Sequence, residues 1–187
     1  MLNFLAAIHG TGVAASTSSY ESIATVTVGS GGASNIEFTS IPSTYKHLQI
    51  RGINRFSNAD TDTNLSFQLN SDTGSNYAFH RIRGNGSTTY AGGSSSVAYF
   101  TAGDTIANNS TANVYCGAII DILHYADSNK YKTTRMLMGW DANGSGFMNF
   151  ASGLWQSTSA VTSIKIYSTA SYTFSQYSTF ALYGIKG

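Results

Sequence analysis

Apolar and polar residues alternate with a period of two along much of this chain, and this pattern restricts the fold more than any other feature. Residues 65–69 read Leu-Ser-Phe-Gln-Leu, and residues 164–167 read Ile-Lys-Ile-Tyr. Such alternation places apolar side chains on one face of a β-sheet and polar side chains on the other. No segment shows sustained helical periodicity with capping residues. The pattern predicts about eight to ten antiparallel strands separated by Gly-, Asn- and Ser-rich turns.

The same pattern predicts which side chains fill the core. Apolar residues that share the inward phase of separate strands are expected to be buried together in one sandwich. The predicted core residues are Leu48, Ile50, Phe67, Leu69, Ile120, Ile122, Ile164, Ile166, Phe180 and Leu182.

Some segments depart from simple alternation. Residues 114–125 are apolar on both phases, which predicts a central strand covered on both faces. A turn-forming cluster at residues 126–129 then separates this segment from residues 131–140, which predicts a β-hairpin. The phase slips at Gly52, which indicates a bulge or a bend. Residues 92–94, Gly-Gly-Ser, are typical of a turn.

The composition narrows the fold class and excludes several kinds of partner. Hydrophobic residues make up 42% of the chain, enough for a packed core, and short strands with frequent turns favour an all-β antiparallel sandwich or jelly roll. Only 10% of residues are charged and the formal net charge is +1, so binding to nucleic acid through phosphate neutralisation is not expected. No apolar run approaches the roughly 18 residues of a membrane span, so no membrane partner is expected.

Residues that could support catalysis or cofactor binding are scarce. The only glutamates are Glu21 and Glu37, on separate predicted strands, and no carboxylate pair resembles that of a glycosidase. The four histidines lack paired metal spacing, and the single cysteine, Cys116, lies in an apolar run typical of a buried, inert thiol. The sequence therefore predicts a protein that is not an enzyme and has no catalytic residues, no metal and no cofactor.

Residues 1–19 carry no charged side chain and differ from the rest of the chain. We interpret them as an N-terminal arm that precedes a domain formed by residues 20–187. The functional interpretation is that apolar side chains of the arm contact a partner or a neighbouring subunit, because exposed apolar clusters are normally covered. The alternatives are a frayed terminus and a strand on the arm's own domain. The apolar residues of the arm are Leu2, Phe4, Leu5 and Ile8.

Aromatic residues make up 13% of the chain and raise the question of a sugar-binding surface. Flat aromatic faces stack on sugars, and Tyr with Ser, Asn and Gly is typical of adaptable binding surfaces. The alternative is that most of these rings fill the core or a subunit interface. The residues considered for a glycan-binding or interface platform are Tyr77, Tyr90, Tyr99, Trp140 and Trp155.

Three stretches together carry a resemblance to a known group of proteins. They are residues 1–10 (MLNFLAAIHG), residues 38–51 (FTSIPSTYKHLQIR) and residues 180–187 (FALYGIKG). In these stretches the chain resembles small virion proteins of tailed bacteriophages, both capsid decoration (cement) proteins and tail-fibre-like proteins of phages that infect cyanobacteria. The resemblance implies a jelly-roll domain, commonly trimeric, on the exterior of the virion. It transfers no site residue, because the matching segments are strand and turn patterns.

The resemblance implies two functions, and an enzymatic function is a third alternative. The leading expectation is a capsid decoration protein that binds the head exterior, with the major capsid protein and copies of itself (a homotrimer) as partners. The arm would then contact the capsid or a neighbouring subunit. The alternative is a tail-fibre or receptor-binding head that binds host surface glycan, which would place the protein on the tail. An enzyme acting on polysaccharide is disfavoured by the lack of paired carboxylates.

Overall fold

The structure is a computed structural model that describes residues 18–187, and this part of the chain forms twelve strands and no helix. The strands are β1 (Tyr20–Thr27), β2 (Asn35–Phe38), β3 (His47–Asn54), β4 (Asp62–Leu69), β5 (Tyr77–Gly84), β6 (Thr89–Val97), β7 (Phe100–Ile106), β8 (Cys116–Leu123), β9 (Lys132–Asp141), β10 (Gly146–Trp155), β11 (Ile164–Tyr167) and β12 (Thr179–Ile185). The prediction of an all-β fold is confirmed.

The strands form two antiparallel sheets that pack face to face. The larger sheet has eight strands in the order β1-β12-β3-β8-β9-β10-β5-β6, and the smaller has four in the order β2-β11-β4-β7. Strand β7 of the smaller sheet lies against β9 and β10 of the larger sheet and also contacts β5 and β8. The antiparallel sandwich is therefore confirmed, whereas the specific jelly-roll strand order stays a prediction.

A single hydrophobic core lies between the sheets. All ten residues predicted from the inward phase of the strands are buried. Aromatic pairs fill the space between them: the ring centroids of Phe67 and Phe100 are 4.7 Å apart, and those of Phe56 and Phe174 are 4.4 Å apart. The core prediction succeeded because a period of two assigns every residue to a face once one face is buried.

The predicted hairpin is also confirmed, but the prediction that both faces of its first strand are covered is wrong. Strands β8 and β9 pair antiparallel at the centre of the larger sheet. Ile120 and Ile122 are fully buried, whereas Ile119 is 37% exposed and Gly117 is exposed. The reason is that the smaller sheet covers only one face of β8, and no described element covers the other.

Two glycine segments differ from their predicted roles. The register of β3 with β8 and β12 is continuous through Gly52, so there is no bulge; a Cβ at Gly52 would lie 2.6 Å from the ring of Phe180. The slip in phase arises because Ile53 faces outward. Residues 92–94 belong to edge strand β6 and not to a turn, and Gly93 allows the strand to approach His80 of β5.

The predicted N-terminal arm lies almost entirely outside the described residues. Strand β1 begins at Tyr20, and the backbone of Ser19 already pairs with Lys186 beyond β12. Leu2, Phe4, Leu5 and Ile8 are outside the described part of the chain, so their predicted contact role stays a prediction.

Candidate docking face on the eight-stranded sheet

An uninterrupted row of large apolar side chains crosses the outer face of the larger sheet. Ile119 of β8 lies directly opposite Leu137 of β9, and Leu137 lies opposite Phe150 of β10. Phe150 in turn lies opposite Ile82 of β5. Leu137 is 46% exposed and Phe150 is 54% exposed. Directly opposed residues in antiparallel strands have Cβ atoms about 4.5–5.5 Å apart, so the four side chains form one continuous surface.

A second row runs parallel to the first, two residues further along each strand. It crosses β3, β8, β9, β10 and β5, and each of its residues lies directly opposite the next. In that strand order the residues are Ile53, Gly117, Gly139, Met148 and Gly84. Because Gly117 and Gly139 have no side chain, a shallow channel forms in this row between Ile53 and Met148. We call this channel the glycine groove.

The six exposed apolar residues of the two rows are called the docking face. They are Ile53, Ile82, Ile119, Leu137, Met148 and Phe150. Contiguous exposed apolar side chains of this kind mark surfaces that contact another molecule.

Crowding within the sheet does not explain the glycine at position 117, although a Cβ at Gly139 would lie only 3.3 Å from the carbonyl oxygen of Phe147. A Cβ at Gly117 would meet no atom closer than the carbonyl oxygen of Gly139, at 4.0 Å. By contrast, a Cβ at Gly153, which faces the core, would lie 2.5 Å from the ring of Phe100. Packing therefore requires glycine at position 153 but not at position 117. The groove near Gly117 has a volume of about 550 Å³.

A polar border lies beside the apolar rows. The side-chain amide of Gln49 donates a hydrogen bond to Asp121 Oδ1 at 2.8 Å, and Arg51 Nε donates to Gln49 Oε1 at 2.9 Å. The Arg51 guanidinium also lies 5.8 Å from the ring of Tyr20 and 5.9 Å from that of Tyr183, within the range of cation–π attraction. An apolar centre with a polar border is typical of protein–protein interfaces.

Comparison with known proteins does not assign the chain to any group. No protein-family model, no curated protein and no solved structure matches it.

The described residues offer little for catalysis. Among residues 18–187, no group of three His, Cys, Asp or Glu side chains is placed to hold a metal ion. Cys116 is fully buried on the inner side of β8, and burial raises the pKa of its thiol to about 11. Since the thiolate is the nucleophilic form, this cysteine is unreactive at neutral pH. No helix in the described range could span a membrane.

The aromatic residues predicted as a platform do not form one surface. Tyr77 and Trp155 are buried, with ring centroids 6.4 Å apart. The Tyr77 hydroxyl hydrogen-bonds to the backbone of Leu69 and Asp72, and Trp155 Nε1 donates to Asp72 Oδ2 at 2.7 Å. These two rings therefore hold the loop between β4 and β5 against the core. A sugar-binding surface at Tyr77 and Trp155 is wrong, and the alternative, that these rings fill the core, is confirmed.

The other three predicted aromatics are also dispersed. Trp140 is only 7% exposed and packs edge-on against Phe147. Tyr99 is half-buried between β6 and β7. Tyr90 is 43% exposed, and its ring lies 4.8 Å from the guanidinium of Arg83. Of the five residues, only Tyr90 presents a largely open ring.

The sequence did not predict the docking face, because the apolar run of residues 114–125 indicated a strand covered on both faces. A signal was nonetheless present: residues 136–138 read Met-Leu-Met and residues 118–120 read Ala-Ile-Ile. Consecutive apolar residues in a strand place side chains on both faces. In an antiparallel sandwich that has only two sheets, one of those faces is open.

Proposed function

We propose that the protein is a structural component of a tailed-phage virion, a capsid decoration protein that binds the head exterior and stabilises the capsid lattice. The observation that supports a structural role is the docking face: a continuous apolar surface on the open side of a β-sandwich. The assignment to a virion rests on the sequence resemblance. The partners in this proposal are the major capsid protein and further copies of the chain in a homotrimer.

The docking face could supply binding energy without charged contacts. Fully burying a large apolar side chain contributes about 1.5–3 kcal/mol, so a side chain that is about half exposed contributes roughly 1 kcal/mol. Six such side chains, less the cost of association, leave enough for attachment when several copies act together. The arm residues Leu2, Phe4, Leu5 and Ile8 would make contacts of the same chemistry, with the capsid or with a neighbouring subunit.

Stabilisation of the capsid would follow from mass action. A protein that binds the assembled shell, but not the separate capsid subunits, stabilises the shell by an amount that grows with its free concentration. A trimer at a three-fold or quasi-three-fold position would contact several capsid subunits at once. A surface of hydroxyl and amide groups with few charges suits such a position, because identical neighbours do not repel one another.

The alternative is a tail-fibre or receptor-binding head that binds host glycan, and one feature favours it. At one end of the sandwich, loops form an open cleft of about 560 Å³. Tyr177, 68% exposed, lies beside Asn113, Tyr115 and Gln176 in this cleft. An exposed aromatic ring beside amide and hydroxyl groups has the chemistry that binds sugars. Copy number separates the two functions: hundreds per virion indicate decoration, and a few dozen or fewer indicate a fibre.

The decoration proposal is tested by adding purified protein to particles that lack it. The Leu137→Ser, Phe150→Ser double variant removes apolar contacts without touching the core, and we expect its occupancy to fall at least tenfold. Tyr131→Ser is the matched control, because Tyr131 is 52% exposed but lies in the turn between β8 and β9. If the double variant decorates particles as fully as the control, the docking face does not bind the capsid.

A further inference from the structure

The glycine groove is a gap within the docking face: its open floor is Gly117 and Gly139, and the side chains of Ile53 and Met148 stand at its two ends. One side is formed by Ile119 and Leu137, and Arg51 stands at the β3 end. The docking face as a whole crosses five neighbouring strands, and four strand spacings correspond to roughly 19 Å. No ionisable side chain belongs to the row that forms its floor. A ligand for this groove should therefore be extended, apolar and uncharged.

One segment of the chain itself has these properties. Residues 2–8 read Leu-Asn-Phe-Leu-Ala-Ala-Ile, with no charge. In an extended conformation these seven residues span roughly 20 Å, which matches the width of the docking face, and one of their large apolar side chains can fill the glycine groove. The next ten residues, up to Ser18, can span at most about 33–36 Å and are rich in Gly, Ser, Thr and Ala. The segment is thus long enough to reach beyond the edge strand β1 that it precedes.

We propose that residues 2–8 of one copy bind in the glycine groove of a second copy, and that this exchange closes a ring of three chains. A segment-to-groove contact joins two different surfaces, so it is heterologous and forms a closed ring when the rotation between neighbouring copies closes. Reciprocal exchange between two copies, or direct packing of two docking faces, would instead produce a dimer. Segment exchange thus permits a trimer, which face-to-face packing does not. This inference takes one point from the proposed function, namely that the ring contains three chains.

The first test fills the groove and measures the mass of the full chain in solution. Gly117→Val suits this purpose, because its Cβ has room and a β-branched residue fits a strand. We expect wild-type protein to have about three times the 19.9 kDa mass of one chain, and Gly117→Val to be largely monomeric at the same micromolar concentration. Gly92→Val is the matched control, since Gly92 is also in a strand and a Cβ there would meet nothing within 4 Å.

A second variant guards against a folding defect in the first. Phe4→Ser with Leu5→Ser leaves every described residue unchanged and should reduce the mass to the same extent as Gly117→Val. A wild-type protein that is monomeric, or a Gly117→Val protein that stays trimeric, overturns the proposal. Because no capsid is present in this measurement, its failure is distinct from failure of the decoration proposal.

Disulfide cross-linking tests the pairing directly. A chain with Ala6→Cys is mixed with a chain with Met148→Cys under a mild oxidant, and we expect a disulfide that joins one chain of each kind. The buried Cys116 should not compete, because its thiol is inaccessible. Tyr131→Cys replaces Met148→Cys in the control and should cross-link at least tenfold less. Equal cross-linking at both positions overturns the proposal. When both substitutions are in one chain, a disulfide formed only within that chain also overturns exchange between copies.

Discussion

Leu137 and Phe150 lie directly opposite each other across β9 and β10, and both point away from the core of the sandwich. Their neighbours in sequence, Met136, Met138 and Ala151, point inward and are buried. The two central strands therefore present apolar side chains on both faces, but only the inner face has a covering sheet. This arrangement leaves the outer face open for the proposed contacts, so changes there should affect association more than folding.

The first prediction contrasts a core aromatic with an exposed one. Phe67 is fully buried against Phe100, so Phe67→Ala should lower the free energy of unfolding by about 3–5 kcal/mol. Phe150→Ala should lower it by less than about 1 kcal/mol, because half of that side chain is already in water. Urea unfolding of both variants at a concentration where the protein is monomeric measures the difference. Equal losses would contradict the assignment of inner and outer faces.

The second prediction concerns Arg55, a buried arginine that organises the loop between β7 and β8. Its guanidinium donates hydrogen bonds to the carbonyl oxygens of Ser110, Thr111 and Val114, at 2.8–3.1 Å, and to Asn108 Oδ1. Arg55→Met would leave several partly buried acceptors without the buried guanidinium and should cost about 2–4 kcal/mol.

The control variants for Arg55 separate the shape of the guanidinium from its charge. Arg55→Lys keeps the charge but not the planar set of N–H donors. It should therefore restore less than half of the free energy of unfolding that Arg55→Met loses. Arg135→Met, at an exposed position of β9, should unfold at nearly the wild-type urea concentration. A full rescue by lysine would show that charge, and not the hydrogen-bond geometry, stabilises the loop.

The third prediction is a loss of stability at acidic pH that arises from His47. Its Nδ1 accepts a hydrogen bond from the backbone N–H of His124 at 3.0 Å, so the ring is neutral at this nitrogen. Desolvation lowers the pKa of His47 below 6.5, and the neighbouring His124 and Lys46 lower it further. The unfolded chain therefore binds a proton at a higher pH than the folded chain. The stability that the neutral His47 ring contributes is fully present above about pH 6.5. It is lost as the pH falls from there towards the pKa of His47 in the folded protein.

The measurement is the free energy of unfolding at neutral pH and at about pH 5. His47→Gln cannot titrate in this range, so we expect the difference in stability between wild type and variant to shrink or reverse as the pH falls. His80→Gln serves as a control because His80 is exposed on β5. A wild-type pH dependence that His47→Gln leaves unchanged would assign the effect to another group.

Much of the fold could be predicted from alternation alone, but the site could not. Ile120 and Ile122 were correctly placed in the core because a strand with one buried phase has only one register that buries it. Whether Ile119 is covered depends on how far the second sheet extends, and period two contains no information about that. The glycine groove arises only from register, since Gly117 and Gly139 are distant in sequence and become neighbours when β8 pairs with β9.

The final prediction concerns a variant that lacks residues 2–17. Ser18 and Ser19 are retained, because the Ser18 hydroxyl bonds to the backbone of Tyr20 and the Ser19 carbonyl accepts a hydrogen bond from Lys186. Every residue of the described core remains, so the variant should keep a β-type circular dichroism spectrum. Binding between copies raises the melting temperature with protein concentration, and this dependence should disappear.

The same variant should bind particles of a decoration-null phage weakly or not at all, because each chain loses four large apolar side chains, Leu2, Phe4, Leu5 and Ile8. Each contributes about 1.5–3 kcal/mol when fully buried, and part of that gain is offset by the entropy lost when the segment becomes ordered. Without binding between copies the variant attaches as a single chain, so the gain from multivalent attachment is also lost and occupancy should fall steeply. A full chain with Asn3→Ser is the control, since it changes the segment without removing apolar surface. If the shortened protein decorates particles at full occupancy, attachment depends on the sandwich alone and the segment is not an anchor.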